Sequence, residues 1–87
     1  MYSREVVVQN QVGLHARPAT FFIQRANTFE SGVWVEKDER KVNAKSLLGV
    51  LSLGITKGTG ITIVANGPDE KEAVDCLVDL VVSNFAE

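Results

Sequence analysis

The 87-residue sequence predicts an α+β fold: a two-layer, open-faced sandwich with one mostly antiparallel sheet and every helix on a single face. Three observations predict it. The elements run β-α-β-β-α-β-α; the strand segments alternate apolar and polar residues; and the first helical segment carries an apolar stripe on one side. The length fits one domain, residues 1–87, with no repeat, linker or low-complexity tract.

Each element has a local reason. Glu5 to Val8 is valine-rich and reads as the first strand. Gln9 to Gly13 is a polar loop. From Ala16 to Asn27, Ala19, Phe22, Ile23 and Ala26 recur at helical spacing. Pro18 fits only the first turn of that helix, so the helix opens at or just before Ala16. Val33 to Glu36 forms a second strand, and Lys37 to Arg40 turns it back into a short third strand around Lys41 to Asn43. The Asp38-Glu39 centre lacks the Asn-Gly type of pair that suits a tight hairpin, which predicts a looser turn or a residue at positive φ. Asn43 or Ser46 caps the next helix, which carries Leu47, Leu48, Val50, Leu51 and Leu53 and ends by Gly54 and Gly58. Ile61 to Ala65 is the fourth strand. Asp69 is read as the cap of a last helix reaching about Asn84, with Asp69, Glu70 and Glu72 at its positive end.

Alternation points Val6, Val8, Val33, Val35, Ile61, Ile63 and Ala65 toward the helices. Val7, Trp34 and Val64 then lie on the open face, where weak self-association of an otherwise monomeric chain is one consequence. Cys76, near Ala73, Leu77 and Leu80, reads as a passive packing residue.

Composition excludes several classes. Hydrophobic residues make up 45% and charged residues 23%, which is a globular and not a disordered balance. Nine basic against eleven acidic residues give a net charge of -2, which argues against nonspecific nucleic-acid binding. A single cysteine rules out an internal disulfide framework or a multi-cysteine metal site. The apolar runs are too short to span a bilayer, and Met1 to Val8 lacks the layout of a signal peptide, so the expected address is cytoplasmic without membrane insertion.

The chemistry concentrates in Gly13-Leu14-His15-Ala16-Arg17-Pro18-Ala19. His15 falls at the edge of a helix N-terminus, where unpaired N–H groups and a partial positive charge hold anions. The amides of Ala16 and Arg17 are best placed to meet such a ligand, since Pro18 has none. Arg17 adds a fixed charge and a planar fork of donors suited to phosphate. Imidazole is nucleophilic near neutrality, and these charges favour its neutral form and then stabilise an attached phosphoryl group. From spacing alone, however, a lone histidine here is ordinarily a cap or a solvated surface residue. No second histidine or cysteine stands at metal-ligand spacing, and no Gly-x-Ser-x-Gly elbow accompanies it.

The same segment resembles the active-site motif of the HPr family, the histidine-containing phosphocarriers of the bacterial phosphoenolpyruvate:sugar phosphotransferase system. Lys45 to Gly54 resembles that family's second motif, around its regulatory serine, in the form found in low-GC Gram-positive bacteria. The resemblance extends over essentially the whole chain. It implies four antiparallel strands in the order 1-4-2-3 under three helices. It also implies that His15 takes a phosphoryl group on Nδ1 from Enzyme I and passes it to the IIA domain of a sugar permease, with Arg17 stabilising the phosphate. It implies no cofactor or metal, and a carrier and not an enzyme.

Further expectations follow from the resemblance. Thr20, Phe21 and Gln24 on the first helix, with Leu47, Leu48 and Leu51 on the second, form the docking surface. Ser46 is the regulatory phosphorylation site, acted on by an HPr kinase/phosphorylase, and its phosphorylated form meets the catabolite control repressor in carbon catabolite repression. Two alternatives stand beside the sugar-system carrier: a nitrogen-branch phosphocarrier paralogue, and a corepressor acting mainly through phosphorylated Ser46.

Overall fold

The computed structural model describes residues 1–10, 13, 14 and 16–85. Its elements are β1 (Tyr2–Val7), α1 (Ala16–Ala26), β2 (Gly32–Lys37), β3 (Arg40–Asn43), α2 (Leu47–Ser52), β4 (Gly60–Asn66) and α3 (Glu70–Val82). The sheet order is β1-β4-β2-β3, with every neighbouring pair antiparallel. The expected open-faced sandwich with its 1-4-2-3 order is therefore observed.

The core lies between the sheet and the helices. Val33, Val35, Ile61, Ile63 and Ala65 are buried, as is Val8 just beyond β1, while Val6 is half-buried against the same cluster. From above, α1 contributes Ala19, Phe22 and Ala26, α2 contributes Val50, and α3 contributes Ala73, Val74, Leu77, Val78 and Val81. Ile23, expected in the α1 stripe, is half-buried at its margin.

Four readings need correction. First, β1 starts at Tyr2, not Glu5, because its ladder to β4 runs from Tyr2↔Ala65 to Val7↔Gly60. Valine content marked only the apolar half of the strand. The polar half is held by Tyr2 Oη and Arg4 Nη1, which donate to Asp75 Oδ1 at 3.2 and 3.0 Å. Secondly, α1 and α3 stop at Ala26 and Val82, one and two residues short of the expected ends.

Thirdly, the Asp69 side chain does not cap α3. Its carboxylate instead accepts from the Glu30 and Ser31 amides, both at 2.9 Å, and from the Ser31 hydroxyl. Ser31 is buried and needs that partner, so the carboxylate serves the turn before β2 rather than its own helix. The hydroxyl first, then the two amides, hold the Asp69 carboxyl below its ordinary value of 3.8.

Fourthly, Val64 faces the open side of the sheet but is only 4% exposed. Trp34 pairs with it directly, and a methyl group at Gly32 would strike the indole, so the ring lies down along the sheet. The Lys41 ammonium sits 5.0 Å from the ring centroid. The β2–β3 turn behaves as expected: Asp38 takes φ 56°, which allows Lys37 and Arg40 to pair directly.

Candidate functional site

The segment leading into α1 is pinned at both ends. Asn10 is buried, and its Nδ2 donates to the Gly13 carbonyl at 2.8 Å while the Gly13 amide returns to the Asn10 carbonyl at 3.2 Å. Leu14 is buried, and its amide donates to the Ile55 carbonyl at 3.0 Å. Gly13 takes φ 63°, and a Cβ there would meet the backbone of Ile55 and Thr56. His15 lies outside the described residues. Helix α1 opens at the next residue, Ala16, and Pro18 is buried in its first turn.

The charges of α1 are unusual at its start. No acidic residue occupies the first turn, and Arg17 stands there exposed. Helix α3 follows the ordinary rule, with Glu70 and Glu72 in its first turn. A cation at the positive end of a helix is unfavourable by itself and becomes favourable when an anion sits between them. Arg17 lies over the Phe21 ring at 5.8 Å from the centroid, which holds its guanidinium along the helix surface.

Phe21 is 39% exposed, off the buried stripe as its position in the helix requires. Gln24 is exposed and Thr20 half-buried on the same helix. A cleft of about 570 Å³ opens beside Arg17 and Phe21 and reaches Leu80 and Phe85.

Helix α2 packs against α1, bringing the second set of residues alongside the first. Asn27 Nδ2 donates to the Lys45 carbonyl at 3.4 Å, and Lys45 Nζ donates to the Phe29 carbonyl at 2.8 Å, tying the lead-in of α2 to the end of α1. Between the two capping candidates the structure chooses Ser46, whose Oγ accepts from the Gly49 amide at 3.2 Å. Asn43 turns the chain just before it, its Oδ1 accepting from the Lys45 amide. Ser46 is exposed, Leu47 and Leu48 are 37% and 80% exposed, and Leu51 is half-buried against the core. Val50 is fully buried and anchors the helix.

Two features escaped the sequence reading. Cys76 is half-buried and accepts from Arg25 Nη1 at 3.3 Å, so it is tied to α1 by a polar contact and is more than packing. Lys37 and Arg40 reach the end of α2, although nothing in their spacing separates them from solvated hairpin charges. Among the described residues there is no cluster of His, Cys, Asp or Glu suited to a metal ion, and no helix long and apolar enough to cross a membrane.

The structure is thus a small open-faced sandwich with an arginine and no acidic residue in the first turn of α1, and with exposed apolar groups on α1 and α2. Comparison with known proteins identifies the family: residues 2–83 match the family model for the PTS HPr component phosphorylation site. The chain belongs to the HPr family of phosphocarriers. It is 48% identical over 81 residues to the HPr-like protein Crh of Bacillus subtilis, covering 93% of this chain and 95% of that protein. It is 41% identical over 87 residues to the phosphocarrier protein HPr of Neisseria meningitidis, covering 100% of this chain and 98% of that protein. A crystal structure of HPr from Thermoanaerobacter tengcongensis superposes with a TM-score of 0.97 at 49% identity, covering 100% of this chain and 98% of that one.

Proposed function

We propose that this chain is the sugar-system phosphocarrier of the cytoplasm. In this reading His15 accepts a phosphoryl group from Enzyme I and gives it to IIA domains of sugar permeases. The observation that carries the reading is the start of α1: a histidine one residue before a helix whose first turn holds an arginine and no carboxylate. The lone pair on Nδ1 forms the N–P bond as the donor's bond to phosphorus breaks, and a nucleophile of the IIA domain then bonds to phosphorus as the N–P bond breaks and frees the imidazole. Phosphoryl transfer needs positioning and charge stabilisation above all. Arg17 and the Ala16 and Arg17 amides supply the charge, and Thr20, Phe21, Gln24, Leu47, Leu48 and Leu51 supply the docking surface. A modest anion site suits a carrier, because its phosphorylated form must give the group away.

The test is incubation with phosphoenolpyruvate and Enzyme I. Wild type acquires acid-labile phosphate and His15→Ala does not; equal labelling of the two would overturn the reading.

A second role is favoured by Ser46, exposed at the start of α2 and next to Leu47 and Leu48. Phosphorylation by an HPr kinase/phosphorylase would add about -1.5 to -2 charge beside the docking leucines. That charge would slow transfer from Enzyme I and create a site for the catabolite control repressor. Ser46→Asp should therefore be phosphorylated at His15 more slowly than wild type, and equal rates would remove this role. A chain that took no phosphate at His15 but bound repressor when phosphorylated at Ser46 would be the corepressor alternative. Transfer to nitrogen-related but not sugar-related IIA domains would identify the nitrogen-branch paralogue.

A further inference from the structure

The β2–β3 hairpin sends two cations to the C-terminal end of α2. Lys37 Nζ donates to the Leu53 carbonyl at 2.9 Å and to the Gly54 carbonyl at 3.4 Å. Arg40 forks onto Ser52, with Nη1 on its carbonyl at 2.9 Å and Nη2 on its hydroxyl at 3.2 Å. That hydroxyl in turn donates to the Gly49 carbonyl at 2.6 Å, so the fork grips the last turn of the helix as a unit.

The arrangement is costly to the hairpin by itself. Lys37 and Arg40 are direct cross-strand partners on the inward face, beside the turn. Like charges directly opposite one another destabilise a strand pair. The pair is relieved by acceptors from another element, the carbonyl of Ser52 at the end of α2 and those of Leu53 and Gly54 just past it, where the negative end of the helix dipole lies. The helix needs the help: six residues are far too few to hold themselves helical in water. Val50 fixes its middle in the core, and Ser46 closes its first turn. Its last turn relies on Gly54 at φ 60° and on the two cations.

We propose that Lys37 and Arg40 are positioning residues for partner docking: by fixing the last turn of α2 they set how Leu47, Leu48 and Leu51 are presented. This rests on the phosphocarrier reading above. It assigns to the hairpin a part in recognition that its distance from His15 in the sequence conceals. The hydrogen bonds of the two cations go to the last turn of α2 and its C-cap, so their loss weakens encounter and leaves the chemical step alone.

The experiment compares wild type with Lys37→Met/Arg40→Gln, Arg40→Gln, Arg40→Lys and Lys41→Gln. Lys41 is the control for bulk charge, since it stacks on Trp34 on the opposite face of the sheet. Amide hydrogen exchange is read at Leu53 and Gly54, whose amides close the last turn onto Val50 and Leu51. Steady-state phosphorylation by Enzyme I and phosphoenolpyruvate gives the kinetic split. The double variant should exchange faster at Leu53 and Gly54, with Ile63 and Val35 unchanged, and its KM should rise about fivefold at constant kcat. Arg40→Lys should recover part of the effect of Arg40→Gln, and Lys41→Gln should match wild type. Unchanged exchange in the double variant, faster exchange with unchanged KM, or an equal KM rise in Lys41→Gln would each overturn the proposal. If wild type takes no phosphate the phosphocarrier reading fails separately, and the exchange comparison still decides whether the cations hold α2.

Discussion

Leu48 and Val50 stand two residues apart on α2 and should respond to truncation in opposite ways. Leu48 is 80% exposed and Val50 0% exposed. Leu48→Ala removes little that the fold uses, so its stability should stay within about 0.5 kcal/mol of wild type. Fully burying a leucine side chain gains about 1.5–3 kcal/mol. With four-fifths of Leu48 still open, a partner that covers it would gain about 1–2 kcal/mol, and losing that gain raises KM for Enzyme I roughly five- to thirtyfold. Val50→Ala deletes buried methyl groups and leaves a cavity, at a cost of about 2–3 kcal/mol in stability, with KM near wild type while the chain is folded. Urea denaturation and steady-state phosphorylation, run on both variants, read the two axes. A destabilised Leu48→Ala, or one with unchanged KM, would refute the division of α2 into an anchoring and a docking side.

Three further outcomes follow from the fold. The Asp69 carboxyl is held below its ordinary 3.8 by the Ser31 hydroxyl and the Glu30 and Ser31 amides, so its stabilisation is present above that value and is lost as pH falls through the lower, folded value. Asp69→Asn should lower stability at neutral pH and flatten this part of the acid limb in denaturation measurements, whereas an unaltered limb would contradict the clamp. Gly13→Ala places a Cβ against the Ile55 and Thr56 backbone at positive φ and should cost about 2–4 kcal/mol by urea denaturation; a cost under about 1 kcal/mol would mean that the segment yields freely. Val64 is buried and the Trp34 ring lies along the sheet over Gly32, so wild type and Trp34→Thr should both sediment as monomers, and a concentration-dependent shift confined to wild type would favour self-association through that face.

The sequence was most legible where a side chain's place depends on periodicity. The inward sets of β2 and β4, the buried stripe of α1 and the exposure of Phe21 all follow from spacings of two or 3.6 residues. Strand order does not, because β1 and β4 meet across more than fifty intervening positions, and only the resemblance to HPr supplied it. Asp69 shows a second limit. A carboxylate before a helix can serve its own first turn or a remote one, and buried Ser31, distant in sequence, decides between them. Lys37 and Arg40 were illegible for the same reason, since a hairpin cation acquires a partner only when α2 is laid beside it. The candidate site was read from residue types only as far as His15 and Arg17 at a helix start, where a lone histidine is ordinarily a cap or a surface residue, and the resemblance to HPr supplied its role and that of the docking residues.

In the proposed function phosphorus resides on the imidazole of His15 and is held by the opening turn of α1. Phosphorus and amide NMR of the protein charged by phosphoenolpyruvate and Enzyme I tests it most directly. A single phosphohistidine resonance, absent in His15→Ala, should appear together with large shifts of the Ala16 and Arg17 amides. Phosphate on any other side chain, or a phosphohistidine that leaves both amides where they were, would contradict it.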